Sequence, residues 1–251
     1  MAIPSPNQGL IIFFIITVAY FIFQYLTKEQ YNASGFSIYL IVLFLSQIGI
    51  SVNLTKQLCG EVHPKAAFIY TILPWAIIFG LLNLMLLIFP GWLGPFSNTF
   101  GYFVVSMAGI NGLLGNILKS KEKTSDKELT QTLGKIYDKP SLLINEIPNP
   151  YVGFDEFWSK LNAGGLLSST ANNYKDKLRD MVRLKFIVSR FIWFALTGLL
   201  TVSTSYNYLV KSSCNTSVKE MERRHKDYER MVQQNKEEEV TNDRIYKDSG
   251  H

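Results

Sequence analysis

Charged residues are absent from four long runs of the chain, and these runs dominate its hydrophobic pattern. They cover positions 1–27, 30–55, 66–118 and 191–210. A helix needs about 20 predominantly apolar residues to cross roughly 30 Å of hydrocarbon, so each run is long enough for at least one crossing. The pattern predicts an all-α, polytopic helical membrane protein with four to five transmembrane helices.

The first two runs predict transmembrane helices at about residues 9–27 and 36–54. The third run would extend about 80 Å as a single helix at 1.5 Å per residue, so it must be interrupted. Two prolines and two glycines within six positions oppose a regular helix. We expect the residues of this interruption to form a turn at the membrane surface instead of a helix: Pro90, Gly91, Trp92, Gly94 and Pro95.

The interruption divides the third run into two helices of different character. The helix at 66–89 is predicted to span the bilayer with a kink near Pro74. The segment 97–118 is less hydrophobic, and its crossing is left open. Small side chains at helical spacing predict a close helix–helix contact within the chain or, alternatively, with a second copy. A re-entrant or surface-lying segment is a further alternative. The small residues in question are Gly101, Ala108 and Gly112.

Hydrophilic segments flank the last span, which is predicted at 186–210. The bundle before them comprises residues 1–118, and residues 119–185 form a soluble loop with short amphipathic helices. Residues 211–251 form a charged, helical tail, either solvated or used as a coiled-coil or docking helix. Arg190, one turn inside the last span, is expected to extend its charge back to the headgroups.

Basic residues near the span ends predict the orientation of the chain. Lys and Arg are more numerous on the side of the 119–185 loop than on the side of the tail, whether or not 97–118 crosses. Because these residues favour the cytoplasmic side, we expect a cytoplasmic loop and a tail across the membrane from it. The N-terminus then lies on the loop side with five spans and on the tail side with four.

Composition and motifs add no reaction chemistry. The net charge of +5 is mild and predicts no nucleic-acid partner. The two cysteines, Cys59 and Cys214, have no metal-type spacing and are expected to act as ordinary small residues. The histidines are isolated, and no Asp, Glu or His lies within a predicted span. The sequence therefore predicts no catalytic residue, no cofactor and no metal site, so we do not expect an enzyme.

One stretch carries a more specific likeness. Residues 88–102 read IFPGWLGPFSNTFGY, and AGIN follows at 108–111. This stretch resembles a membrane protein of large icosahedral DNA viruses, including those of algae, that carry a lipid membrane beneath the capsid. The likeness covers about residues 66–116. It implies a virion protein of the inner membrane, or a membrane-spanning minor capsid protein, located in host endomembranes during assembly.

The layout of a bilayer anchor with polar segments on opposite faces is that of a tether. We therefore expect a structural virion membrane protein that anchors or organises the internal membrane against the capsid shell. Its partners would be the lipid bilayer and the capsid or other minor capsid proteins, and a homo-oligomer is compatible with this. Two alternatives stay open: a small oligomeric channel that uses amides such as Gln47 and Asn111, and a host membrane protein of unassigned role.

Overall fold

The computed structural model describes residues 7–27, 33–119, 127–147, 149–212 and 225–234. The link between the first two spans and most of the predicted tail lie outside these ranges. Within them the chain is helical, and its only β-type pairing consists of two isolated bridges. The prediction of an all-α, polytopic helical membrane protein is confirmed.

Three apolar segments in the first 88 residues are long enough to cross a membrane. Helix α1 covers Asn7–Thr27, and α2 covers Ala33–Cys59. The third crossing, Pro64–Ile88, changes helix type along its length. These segments match the first three predicted spans, because long uncharged stretches need a helix to satisfy their backbone polar groups in lipid.

Pro74 marks the change of helix type in the third crossing. Helix α3 covers Pro64–Pro74, a π-helical turn covers Trp75–Gly80, and α4 covers Leu81–Ile88. Proline has no backbone N–H, so the regular hydrogen-bond ladder is broken there and a π-helical turn accommodates the break. The predicted irregularity at Pro74 thus takes the form of a π-helical turn.

The prolines at positions 90 and 95 begin helical segments, so the prediction of a non-helical turn is wrong. The chain leaves helical geometry at Phe89, where φ is −121° and ψ is 71°. A 3-10 turn, Pro90–Leu93, then leads into α5, Gly94–Phe96. Both prolines occupy one of the first two positions of their segments, where a missing N–H breaks no helical hydrogen bond. The turn also includes Gly91 and Trp92, and α5 includes Gly94.

The predicted 97–118 helix is two helices joined at a bend. A π-helical turn at Ser97–Gly101 continues into α6, Tyr102–Met107, and α7 covers Ile110–Ile117. The two halves meet at 81°. Gly109 lies at the bend with φ of +91°, in the left-handed region that glycine adopts without a Cβ penalty.

Short helices make up much of the described part of the soluble loop. Helix α8 covers Lys127–Asp138, α9 covers Pro140–Asn145, and α10 covers Phe154–Ala163. Helices α8 and α10 coincide with amphipathic stretches of the sequence. A 3-10 turn at Ala171–Tyr174 leads into the last helix, α11, at Lys175–Ser212.

Helix α7 packs with the loop helices in one hydrophobic core. We call this unit, residues 102–185, the cap. By length and composition, four of the described helices could cross a membrane, or five segments if the two halves of the bend count as one span. Because α7 packs against segments that carry many charges, we expect it to stay on the loop side, which gives four crossings. The buried residues of the cap core are Val105, Ile110, Leu113, Leu114, Ile117, Leu118, Leu133, Leu143, Ile144, Ile147, Phe154, Trp158, Leu161, Ala171, Leu178 and Val182.

Helix α11 runs from the cap into the membrane bundle without a break. Its first part contributes Leu178 and Val182 to the cap core. Its second part contributes Ile187, Phe194 and Val202 to a separate core with α1, α2 and the third crossing. At 1.5 Å per residue, the 38 residues of α11 extend about 57 Å. One helix therefore belongs to both cores.

Cys59 is disulfide-bonded, so the expectation that it acts as an ordinary small residue is wrong. It is the last residue of α2, and Cys214, the only other cysteine of the chain, lies outside the described residues.

Candidate functional site at the joint between cap and bundle

Lys185 is buried where α11 leaves the cap, with a relative exposure of 1%. Its Nζ donates hydrogen bonds to the backbone oxygen of Ile144 at 3.0 Å and to Oδ1 of Asn145 at 2.9 Å. Both acceptors lie at the end of α9, where carbonyl groups lack helical partners and a positive charge is favourable. Lys185 therefore fixes α9 to α11.

Gly101 allows the π-helical turn before α6 to approach α11 at the same level. A Cβ atom at this position would lie 2.6 Å from the backbone oxygen of Lys185 and 3.0 Å from its Cγ. Because Cβ atoms are not found that close to a backbone oxygen, a larger residue would displace one of the helices. Gly101 thus lies in a close helix–helix contact within the chain.

The other two residues of the predicted small-residue stripe are not in such a contact. Ala108 is exposed at the bend after α6. A Cβ atom on Gly112 would meet no atom within 4 Å. Because the bend removes the continuous helix that the stripe requires, the prediction that both residues pack within this chain is wrong. A contact with a second copy stays a prediction.

Arg183 joins α11 to the end of α1. Its Nη2 donates to the backbone oxygen of Tyr25 at 3.4 Å and lies 3.5 Å from Oδ1 of Asp180. Its guanidinium carbon is 5.4 Å from the centre of the Tyr25 ring. A cation near the C-terminal end of a helix interacts favourably with the helix dipole. Arg183 therefore holds the end of α1 against the cap.

Arg190 lies two helical turns farther along α11. Its guanidinium carbon is 5.9 Å from the centre of the Phe186 ring and 5.6 Å from the centre of the Phe194 ring. A long basic side chain can lie along apolar surface while its charge reaches the headgroups. That the charge of Arg190 reaches the headgroups stays a prediction.

Ion pairs join α10 to α11 on the surface of the cap. Oδ1 of Asp155 lies 2.8 Å from Nζ of Lys175 and 2.7 Å from Nη2 of Arg179. The hydrogen bond from Lys175 is the chief reason why the pKa of Asp155 lies below its usual range, and the charge of Arg179 adds to it. Since Asp155 is exposed and its two partners are only half-buried, the pairs orient α10 more than they stabilise it.

Aromatic residues from the 3-10 turn, α5 and α11 form a cluster beside the joint. The ring centre of Trp193 is 6.1 Å from that of Trp92 and 5.8 Å from that of Phe96. Trp92 remains 47% exposed. Tryptophan is enriched at membrane–water interfaces. The position of this 3-10 turn at the membrane surface stays a prediction.

Several polar side chains inside the bundle are paired within the chain. Hydrogen bonds connect Thr17 with Tyr39 at 3.2 Å, Thr71 with Ser51 at 2.7 Å, Gln24 with Tyr20 at 2.7 Å, and Gln47 with the backbone oxygen of Gly9 at 3.0 Å. These bonds are the kind of polar contact that holds transmembrane helices together. Asn111, one of the amides considered for a pore, is exposed on α7 in the cap.

The side chains of the joint position helices and supply positive charge. In the part of the chain that the structure describes, no three His, Cys, Asp or Glu side chains are arranged to hold a metal ion. Sequence reasoning missed Lys185 and Arg183, because basic residues beside a span ordinarily mark only its boundary. The available signal was their alternation with apolar residues, since Arg183 lies between Val182 and Leu184 and Lys185 directly follows Leu184.

Comparisons with family models, with curated proteins and with solved structures find no match for this chain.

Proposed function

We propose that the protein is a structural membrane protein that carries a fixed helical cap at the bilayer surface and connects this membrane to a protein shell. The observation that supports this most directly is the course of α11, whose residues are buried in both the cap core and the bundle core. A force applied to the cap would pass to the bundle along a continuous helix. A tether requires such a connection.

Three further contacts oppose rotation of the cap on α11. Lys185 binds the end of α9, Gly101 packs against Lys185, and Arg183 holds the end of α1. The cap is therefore attached at several points around one helix. This arrangement suits a protein that positions a partner at a set distance from the bilayer.

The viral part of the proposal is based on the likeness at 88–102. On this proposal, the protein resides in the inner membrane of an icosahedral DNA virus, and the capsid or another minor capsid protein is the partner of the cap. The cap presents exposed lysines for such a partner, among them Lys135, Lys139 and Lys160. Lysines near the opposite end of the bundle, Lys56 and Lys65, provide a matched comparison.

Crosslinking mass spectrometry of purified particles tests this proposal. We expect crosslinks from Lys135, Lys139 and Lys160 to shell components, and none from Lys56 or Lys65. We also expect the protein to remain with the shell when detergent removes the lipid. Complete release with the lipid, together with crosslinks to membrane proteins only, would refute the tether.

The channel alternative has less support from the bundle. A cavity of about 40 Å³ lies between α1, α2 and α11, lined in part by Gln47, Ser51 and Ser205. A cavity of this size holds only a few water molecules. Ion flux through purified protein in liposomes, abolished by a bulky substitution at Ser205, would favour the channel over the tether.

A further inference from the structure

Arg183, Phe186 and Arg190 share one face of α11. They are spaced by three and four residues, so their side chains lie in line along the helix. The two arginines are separated by about 10 Å of helix rise. Tyr151, in the turn before α10, packs its ring against Phe186 with the ring centres 6.2 Å apart. A tyrosine is thus placed between two arginines where α11 enters the membrane.

The positive charges of both arginines reach Tyr151. Burial raises the pKa of Tyr151, and the charges of Arg183 and Arg190 oppose this rise. The tyrosine hydroxyl therefore lies in a region of positive potential and can itself donate a hydrogen bond. An anion placed beside the hydroxyl would gain both of these interactions.

Arg183 also has an unused donor in a buried position. The residue is 5% exposed, and its Nε has no hydrogen-bond partner. The Nη2 group already contacts Tyr25 and Asp180. Buried polar groups in native structures are nearly always hydrogen-bonded, so an acceptor for Nε is expected. A phosphate group offers several oxygens to an arginine at once.

We propose that Tyr151, Arg183 and Arg190 form a binding site, the arginine notch, for the phosphate group of an anionic phospholipid in the cap-side leaflet. The surroundings favour a lipid over a soluble phosphate. Arg190 lies over the Phe186 and Phe194 rings, and Val152 beside Tyr151 is 64% exposed. These apolar groups provide a surface for the glycerol and upper acyl chain. Basic sites between transmembrane helices commonly bind headgroups in this way.

The test uses the full-length protein in detergent, titrated with dioleoylphosphatidylglycerol and followed by native mass spectrometry and thermal unfolding. We expect retained lipid adducts and a higher melting temperature with phosphatidylglycerol, and a weaker effect with dioleoylphosphatidylcholine. Arg190→Gln should weaken phosphatidylglycerol binding roughly tenfold, as expected for loss of a charge-assisted hydrogen bond. Tyr151→Phe keeps the ring and should weaken binding by a smaller factor.

Lys177→Gln is the matched control, because Lys177 is exposed on the same helix within the cap. It should bind phosphatidylglycerol like the wild type. If Arg183→Gln folds, it should also bind phosphatidylglycerol more weakly. If it does not fold, the variants at the partly exposed Arg190 and Tyr151 still test the site. The proposed binding site would be refuted if both lipids bound equally well. It would also be refuted if Arg190→Gln and Tyr151→Phe both bound phosphatidylglycerol like the wild type. Competition by millimolar inorganic phosphate without any lipid preference would overturn the lipid assignment.

Discussion

Phe13 of α1 and Gly198 of α11 lie so close that a side chain on residue 198 would occupy the space of the phenyl ring. Phe13 is fully buried, and its ring centre is 6.2 Å from that of Trp75 in the third crossing. Gly198 therefore sets the distance between the first and last crossings at the centre of the bundle core.

Gly198→Ala should destabilise the protein by about 1–3 kcal/mol or more, because the added methyl group forces the Phe13 ring out of a packed core. Gly49→Ala is the matched control, since a Cβ on Gly49 meets no atom within 4 Å in α2. Thermal unfolding in detergent measures both variants. Equal melting temperatures for the two variants would show that α1 and α11 are not packed at Gly198.

Gly101→Ala should destabilise the joint, because the new Cβ would lie 2.6 Å from the backbone oxygen of Lys185. The expected cost is again about 1–3 kcal/mol. Gly112→Ala, on the open side of α7, should be neutral or stabilise by up to about 1 kcal/mol, since alanine favours helix over glycine. A destabilised Gly112→Ala in the monomer would mean that α7 packs differently from the cap arrangement described above.

Lys185→Met should loosen the attachment of α9 to α11. The substitution keeps an extended apolar side chain but leaves the acceptors on Ile144 and Asn145 without their donor, at a cost of about 1–3 kcal/mol. Hydrogen exchange measured by mass spectrometry should show faster exchange around α9. Lys177→Met, at an exposed position of α11, should leave this exchange unchanged. Slow exchange in both variants would contradict the role assigned to Lys185.

Asp155 should make the cap sensitive to acid. Its pKa is lowered in the folded protein, so its stabilising effect is present above the unfolded carboxyl pKa of about 4 and is lost as the pH falls through the lower folded value. Asp155→Asn should therefore lower the melting temperature at pH 7 and have no effect at strongly acidic pH. Asp176→Asn, whose carboxylate is 3.8 Å from Arg179, should have a smaller effect at pH 7. The same deficit at both pH values would exclude the ion pairs as its cause.

The sequence predicted the membrane-crossing helices well, because a long uncharged run has few alternatives to a spanning helix. The sequence could not show whether 97–118 crosses the membrane or packs in the cap. An apolar run has the same pattern whether it is covered by lipid or by protein. The residues that pack against it, such as Trp158 and Leu178, lie more than 40 residues away from α7 along the chain.

The prediction of a non-helical turn at the prolines after α4 was wrong for a related reason. Proline is unfavourable inside a helix but favourable in its first turn. Only the non-helical conformation of Phe89 shows that Pro90 begins a new helical segment. The contacts of the joint could not be predicted from the sequence. Lys185 looks like a boundary residue until Ile144 and Asn145 are placed beside its ammonium group.

The side of the membrane on which each terminus lies tests the central claim, that the cap includes α7 and that the chain crosses four times. Epitopes at the N-terminus and after Lys211 can be followed in sealed, cytoplasm-side-out vesicles treated with protease. We expect cleavage within 119–185 and protection of both epitopes together, since α1 begins beside the C-terminal half of α11. Digestion of the N-terminal epitope while the tail epitope survives would mean five crossings and would contradict the account.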